Sequence, residues 1–147
     1  MTDKKEFLNQ KAVLYSSVNE RGLLHPPVFL EGSIVLMLQE KVLFKANSFT
    51  DVKMGIRLSV PYGYCLQMYL KQMLHAKHRL MLSNGFIVKN SFKREVIVTI
   101  WNPTSNDVTL DVGVPLLNGY LSRISFAISQ HVYEERVGKK VNFSFIE

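Results

Sequence analysis

Between residues 32 and 112 the chain is cut into short apolar runs of five to ten residues, separated by turn signals. This spacing constrains the fold more than any other feature. "GSIVLML" (32–38) and "KVLFK" (41–45) are two such runs. "DVKMGIRLSV" (51–60) alternates, with Val52, Met54, Ile56, Leu58 and Val60 on one side and Lys53, Arg57 and Ser59 on the other. Period-two alternation is the pattern of a strand with one buried face. Pro61-Tyr62-Gly63 marks a turn, and "YCLQMYL" (64–70) follows it. "EVIVTIWN" (95–102) is rich in β-branched residues and apolar on both faces, so a central strand is predicted. "PTSND" (103–107) is a turn cluster, and "VTLDV" (108–112) alternates again with Val108, Leu110 and Val112 together. "GYLSRISFAIS" (119–129) and "KVNFSFIE" (140–147) read as closing strands.

Many short strands with frequent turns predict a sandwich or compact barrel. Two stretches have helical spacing. One is N-terminal, with Phe7, Leu8, Ala12 and Leu14 in a weak stripe; the other is "LKQMLHAKHRLML" (70–82), with Leu70, Met73, Leu74 and Lys77 on one face. Residues 1–27 read as a leader ending at "HPP" (25–27), where paired prolines favour extended chain, and residues 28–147 as one β-domain.

A length of 147 residues allows a sizeable single core. Nine Phe and six Tyr argue against disorder. No apolar run approaches the roughly 20 residues of a membrane-spanning helix, and the polar start "MTDKKEFLNQK" lacks the apolar stretch of a signal peptide. A single cysteine, Cys65, forms no internal disulfide framework and fits a reducing compartment, so the sequon Asn142-Phe143-Ser144 reads as incidental. The net charge of +6 suits nucleic-acid or anionic-membrane binders, but no tight Lys/Arg cluster or glycine-rich basic tail accompanies it. It reads as a mildly basic surface.

The order of elements resembles the trimeric dUTPase family. "GIRLSVPYGYCLQMYL" is similar to the family's strand that ends at Pro-x-Gly and leads to the phosphate-binding motif. Counting on from Pro61, the family's Arg-Ser-Gly-Leu-Ala falls on Lys71-Gln72-Met73-Leu74-His75, and its Gly-Val-Ile-Asp on Gly85-Phe86-Ile87-Val88. With one inserted residue, Asp-Tyr-Arg-Gly falls on Ser91-Phe92-Lys93-Arg94. Gly-Asp-Arg-Ile-Ala-Gln-Leu falls on residues 113 to 119, and Gly32-Ser33-Ile34-Val35 takes the place of Gly-x-Asp-Leu. The likeness covers about residues 31 to 125. It implies an all-β fold, a dUTPase-like distorted jelly roll or β-barrel with at most a short helix.

The resemblance places degenerate active-site positions at Ile34, Lys71, Gln72, Val88, Phe92 and Lys93. In the family an aspartate activates the attacking water; here Val88 stands there, and valine cannot accept a proton. General-base catalysis typically supplies roughly 100- to 10,000-fold. The aspartate of the magnesium–water network becomes Ile34, and the phosphate-supporting serine becomes Gln72. The family's C-terminal glycine-rich lid has no counterpart in "VGKKVNFSFIE". Independently of the resemblance, residues 52–94 contain eight Lys/Arg and no Asp or Glu. Asp107 reads as a turn residue and Asp111 as the polar face of a strand.

His75 and His78 have no nearby Cys or carboxylate to complete a metal site, and His25 and His131 lie far off in sequence. Cys65 has no positioned base and reads as core. Lys71, Lys77, Arg79, Lys93 and Arg94 are candidates for a positive surface that receives an acidic partner. "VGVPLLNGYLSRISF" (112–126) is similar to the adenovirus early-region-four dUTPase-like group, which has lost the enzyme and binds host signalling proteins such as phosphoinositide 3-kinase. The expectation from this resemblance is a non-enzymatic viral protein without cofactor, docking host signalling proteins in the host cytoplasm or nucleus. A homo-oligomer is implied, trimeric by resemblance and otherwise a dimer or monomer. PDZ binding is not expected, because the chain ends on the charged Glu147. The alternatives are a dUTP hydrolase with displaced carboxylates, for which Asp107, Asp111 or Glu95 would have to serve, and a nucleic-acid-binding β-domain. The latter is disfavoured because "HAKHRLM" lacks interleaved aromatics.

Overall fold

The computed structural model describes residues 12–83, 86–89 and 94–123. Phe92, Lys93, His131, the sequon at Asn142, the closing strand at 140–147, the end of the 119–129 strand and Glu147 lie outside the described residues. So do Phe7 and Leu8 of the N-terminal stripe, whose Leu14 lies in a strand and not a helix.

Eleven strands and one short helix are described, in the order β1 (Leu14–Ser17), β2 (Val28–Leu30), β3 (Ser33–Met37), β4 (Val42–Phe44), β5 (Ser48–Ser59), β6 (Tyr64–Leu70), α1 (Gln72–His78), β7 (Met81–Leu82), β8 (Phe86–Val88), β9 (Glu95–Asn102), β10 (Val108–Leu110) and β11 (Pro115–Arg123). The expected all-β fold with a short helix is present. Every strand pairing is antiparallel. One sheet runs β1-β5-β9-β7, another β2-β3-β11-β6-β8, and β10 pairs with β4 in a third. Among the described residues no helix is long and apolar enough to cross a membrane.

The alternation read from the sequence sets the core. Val52, Met54, Ile56, Leu58 and Val60 are all buried, as predicted. They join Val96, Val98 and Ile100 of β9 and meet Ile34, Leu36, Leu66, Met68 and Val88 of the five-stranded sheet in one cluster. Burying one apolar face of each sheet is the dominant favourable term.

Two strand expectations are corrected. β9 lies inside its sheet but is buried on one face only: Ile97 is exposed, and Trp101 stacks on the exposed Phe49 with ring centroids 5.4 Å apart. A row of β-branched residues does not reveal which side another sheet will cover. β10 stops at Leu110, leaving Val112 exposed in the following turn.

The segment before residue 28 contributes β1, which pairs with the end of β5 from Leu14↔Ser59 to Ser17↔Ile56. The helix is shorter than its pattern. Of its residues only Leu74 is buried, and Met73 is 73% exposed, because a helix of two turns directs only one residue inward.

Asn102 closes one end of the core. Its buried carboxamide donates from Nδ2 to the carbonyls of Phe44 (3.0 Å) and Asn106 (2.8 Å). Its Oδ1 accepts from the Thr104 backbone N–H (3.0 Å) and hydroxyl (2.7 Å). One side chain thus satisfies the turn at 103–106 and ties it to β4, as buried polar groups require.

β11 runs between β3 and β6, with Gly119 opposite both Ile34 and Met68. A Cβ on Gly119 would lie 2.8 Å from Ile34 Cγ2 and 2.8 Å from Met68 Sδ. The missing side chain lets residues from two non-adjacent strands meet beneath the middle one. Gly119→Ala is therefore expected to cost about 1–3 kcal/mol of unfolding free energy by overpacking. Urea denaturation should show a smaller cost in an Ile34→Ala background, since the cavity accepts the methyl group. Equal costs in both backgrounds would refute this packing account.

Candidate functional site

The five-stranded sheet has two chemically different faces. On its inner face the register aligns Ile34, Gly119 and Met68 across three strands, and Leu66 with Val88. On its outer face Val28, Val35, Asn118 and Tyr69 form one row, and Leu30, Ser33, Tyr120 and Gln67 the next. Side chains alternate between faces along each strand, so adjacent residues on β11, Asn118 and Gly119, point to opposite sides.

Lys71 follows β6 on that outer side. Its backbone N–H donates to the Leu116 carbonyl at 2.8 Å, which fixes the start of α1 against β11. Its Nζ lies 3.3 Å from Asn118 Oδ1. Tyr69 and Tyr120 flank the pair, with ring centroids 5.8 Å apart, and the Tyr69 hydroxyl donates to Gln67 Oε1 at 2.8 Å. A half-buried ammonium beside an amide and two phenols is a polar platform able to bind an anion with an attached ring.

The remaining expected positions divide sharply. Ile34 is 1% exposed and Val88 6%, both inside the apolar cluster. They face away from Lys71, through the thickness of the sheet. Gln72 is the exposed first residue of α1. Lys77 lies on α1, and Lys71 and Arg79 cap its two ends. Arg94 lies apart from them: it precedes β9 at the end far from Trp101, where Met81 of β7 pairs. That is about 20 Å along an extended strand.

The displaced carboxylates are distributed elsewhere. Glu95 Oε2 accepts from the Gly55 N–H at 2.9 Å where β5 bulges, and Gly55 takes the required positive φ of 71°. Glu95 also lines a hollow of about 280 Å³ with Glu40, Lys53 and Asn19. Asp107 Oδ1 accepts from the Ala46 N–H at 2.8 Å, in the turn role the sequence predicts. Asp111 lies just beyond β10, exposed, in the turn that enters β11. That turn is anchored by Gly113 N–H on the Leu38 carbonyl (2.7 Å) and Leu38 N–H on the Val114 carbonyl (2.9 Å).

His75 Nδ1 is 3.0 Å from the Leu80 carbonyl, and no group of three His, Cys, Asp or Glu is placed to hold a metal among the described residues. Cys65 is buried and unbridged. The resemblance implies a magnesium ion, which needs hard oxygen ligands. Aliphatic side chains at 34 and 88 offer none, so the described residues do not fit a protein-held magnesium.

Sequence reasoning passed over Asn118 as a partner of Lys71. The only signal was its alignment with a polar residue of the family's fourth motif. The Phe49–Trp101 stack left no local signal, because 52 residues separate its members.

No family model matches the chain. It is 32% identical over 103 residues to a deoxyuridine 5'-triphosphate nucleotidohydrolase of Helicobacter pylori strain P12, spanning 68% of this chain and 71% of that protein. The same-named protein of strain 26695 is 32% identical over 85 residues, and there the chain spans 59% of the relative's length. Among solved structures, a mutant dUTPase from phage phi11 of S. aureus superposes with a TM-score of 0.70 at 10% identity, covering 81% of this chain and 95% of that one. The dUTPase of EIAV gives 0.66 at 13%, over 81% and 94%. These two likenesses concern the fold. The hydrolase name carried by the sequence relatives overturns the expectation of a non-enzymatic binder of host signalling proteins, and with it the expectation that the chain is no enzyme. Aliphatic residues at 34 and 88 therefore do not decide the question of activity.

The burial of position 88 has a measurable consequence. Val88→Asp would put a carboxyl group into an apolar cluster, where desolvation raises its pKa above the unfolded value of about 3.9. The folded state then disfavours the charged form, so stability is lost as pH rises above that value. Chemical denaturation of this variant should show a deficit of several kcal/mol at pH 7 that shrinks towards pH 4. A deficit independent of pH would mean that residue 88 faces solvent.

Proposed function

This chain belongs to the deoxyuridine 5'-triphosphate nucleotidohydrolase (dUTPase) family, and from that premise we propose that it binds dUTP and hydrolyses it to dUMP and pyrophosphate. The observation that carries the reading is the length of the sequence likeness, 103 residues and 71% of a relative bearing that activity's name. It extends across β5, β6, α1 and β9, the part of the chain that surrounds Lys71.

In this reading Lys71 meets the phosphates and Asn118 holds its ammonium in place. Lysine acts here as a compact point charge where the family's arginine offers a fork, so its contact with a phosphate oxygen is less directional. Tyr69 and Tyr120 offer ring faces beside it. Water attacks a phosphorus atom, the bond to the pyrophosphate oxygen breaks, and a carboxylate takes the water's proton before releasing it to solvent. Glu95 and Asp107 each already accept a backbone N–H. Asp111 is exposed in the turn that enters the strand carrying Asn118, and we assign the base to it.

We also propose a homotrimer, on the family resemblance and on the outer row of Val28, Leu30, Tyr69 and Tyr120, all exposed on one sheet face. Light scattering should give three chain masses; a single chain mass at micromolar concentration would contradict it.

The test of the activity is steady-state turnover of dUTP by the purified chain and by its Asp111→Asn variant. The wild type should release dUMP and pyrophosphate. The variant should lose roughly 100- to 10,000-fold in kcat with KM little changed, as expected for removal of a general base. No turnover by the wild type would refute the proposed function. An unchanged variant would refute only the assignment of Asp111.

A further inference from the structure

We infer that this chain takes its nucleotide triphosphate as the free anion and not as the magnesium complex. The inference rests on the reading of the chain as a dUTP-binding protein, and concerns the ionic form that its site accepts.

The donor set comes first. Ile34 and Val88 are aliphatic and lie in the core, on the opposite side of the sheet from Lys71. Among the described residues no three His, Cys, Asp or Glu converge. Magnesium surrenders its waters reluctantly and is usually held through one or two carboxylates together with substrate phosphates. Among the described residues the carboxylate that the proposed function brings to the nucleotide, Asp111, is engaged as the base, and no group of three His, Cys, Asp or Glu stands there to receive a magnesium ion's waters.

The charge distribution points the same way. Residues 52–94 hold eight Lys/Arg and no acid, and α1 has no acidic residue in its first turn and His75, Lys77 and His78 in its last. Lys71 and Arg79 sit at its two ends. A bound dication beside these cations meets like-charge repulsion. A triphosphate without its metal is attracted by the same cations. The protein's cations thus occupy the electrostatic place that the ion would fill, and Lys71, held by Asn118, is the one nearest the outer row of tyrosines.

Titration calorimetry with the imido analogue of dUTP, once in EDTA and once in saturating magnesium, distinguishes the two ionic forms. The expected result is a Kd in EDTA at least about tenfold below that in saturating magnesium. A Lys71→Met variant with unchanged thermal melting should bind at least about tenfold more weakly in EDTA, the loss of one charge-assisted contact. Binding in magnesium as tight as or tighter than in EDTA would overturn the inference and leave the dUTP reading standing, as would a Lys71→Met variant that binds as well as the wild type. An absence of binding under both conditions would overturn the dUTP reading itself, and this inference with it.

Discussion

The close approach across Gly119 is the constraint on which the site depends. Ile34 and Met68 belong to strands that do not pair with each other, yet they occupy the space beneath β11 because residue 119 has no side chain. This packing draws β3, β11 and β6 into one continuous surface. It also fixes what lies on the other side. With Gly119 turned inward, Asn118 must turn outward, where it meets Lys71. A polar contact on the surface is thus set by an apolar contact in the core, through nothing more than strand alternation.

The same alternation explains why the two positions that the resemblance aligns with aspartates lie in the interior. Position 34 sits against Gly119, and position 88 sits opposite Leu66. Isoleucine and valine add apolar volume to a close-packed cluster, and their burial stabilises the fold by roughly 1.5–3 kcal/mol each. A charged group there would need partners that the surrounding Leu66, Met68 and Leu121 cannot supply. Fold and chemistry are separable in this way: the sheet is kept while the groups that face a ligand are redistributed.

Much of the fold was legible in the sequence, because period-two alternation directly encodes a strand with one wet face. β5, β6 and β9 are bounded almost as their patterns suggest, and the turn at 103–106 is announced by its Pro, Ser and Asn residues. What was not legible depended on neighbours. Among the described residues no second sheet covers the outer face of β9, and its apolar residues there are partly exposed. The pattern around 70–82 is long enough for three turns, but Arg79 ends the helix early in a left-handed conformation at φ 60°. For the site, sequence order aligned Lys71 with the family's phosphate-binding motif, while its pairing with Asn118, 47 residues away, exists only once β6 and β11 are in register. Reading the absence of carboxylates as the absence of an enzyme went further than the residues allowed.

The central claim is that a deoxyuridine triphosphate is held on the outer face of the five-stranded sheet, at Lys71 and Asn118. Heteronuclear NMR on the labelled chain, titrated with a non-hydrolysable dUTP analogue, tests it most directly. The account predicts saturable shifts concentrated at Lys71, Asn118, Tyr69 and Tyr120, with the amides around the Glu95 hollow unmoved. Shifts confined to that hollow, or a spectrum unchanged at millimolar analogue, would contradict it.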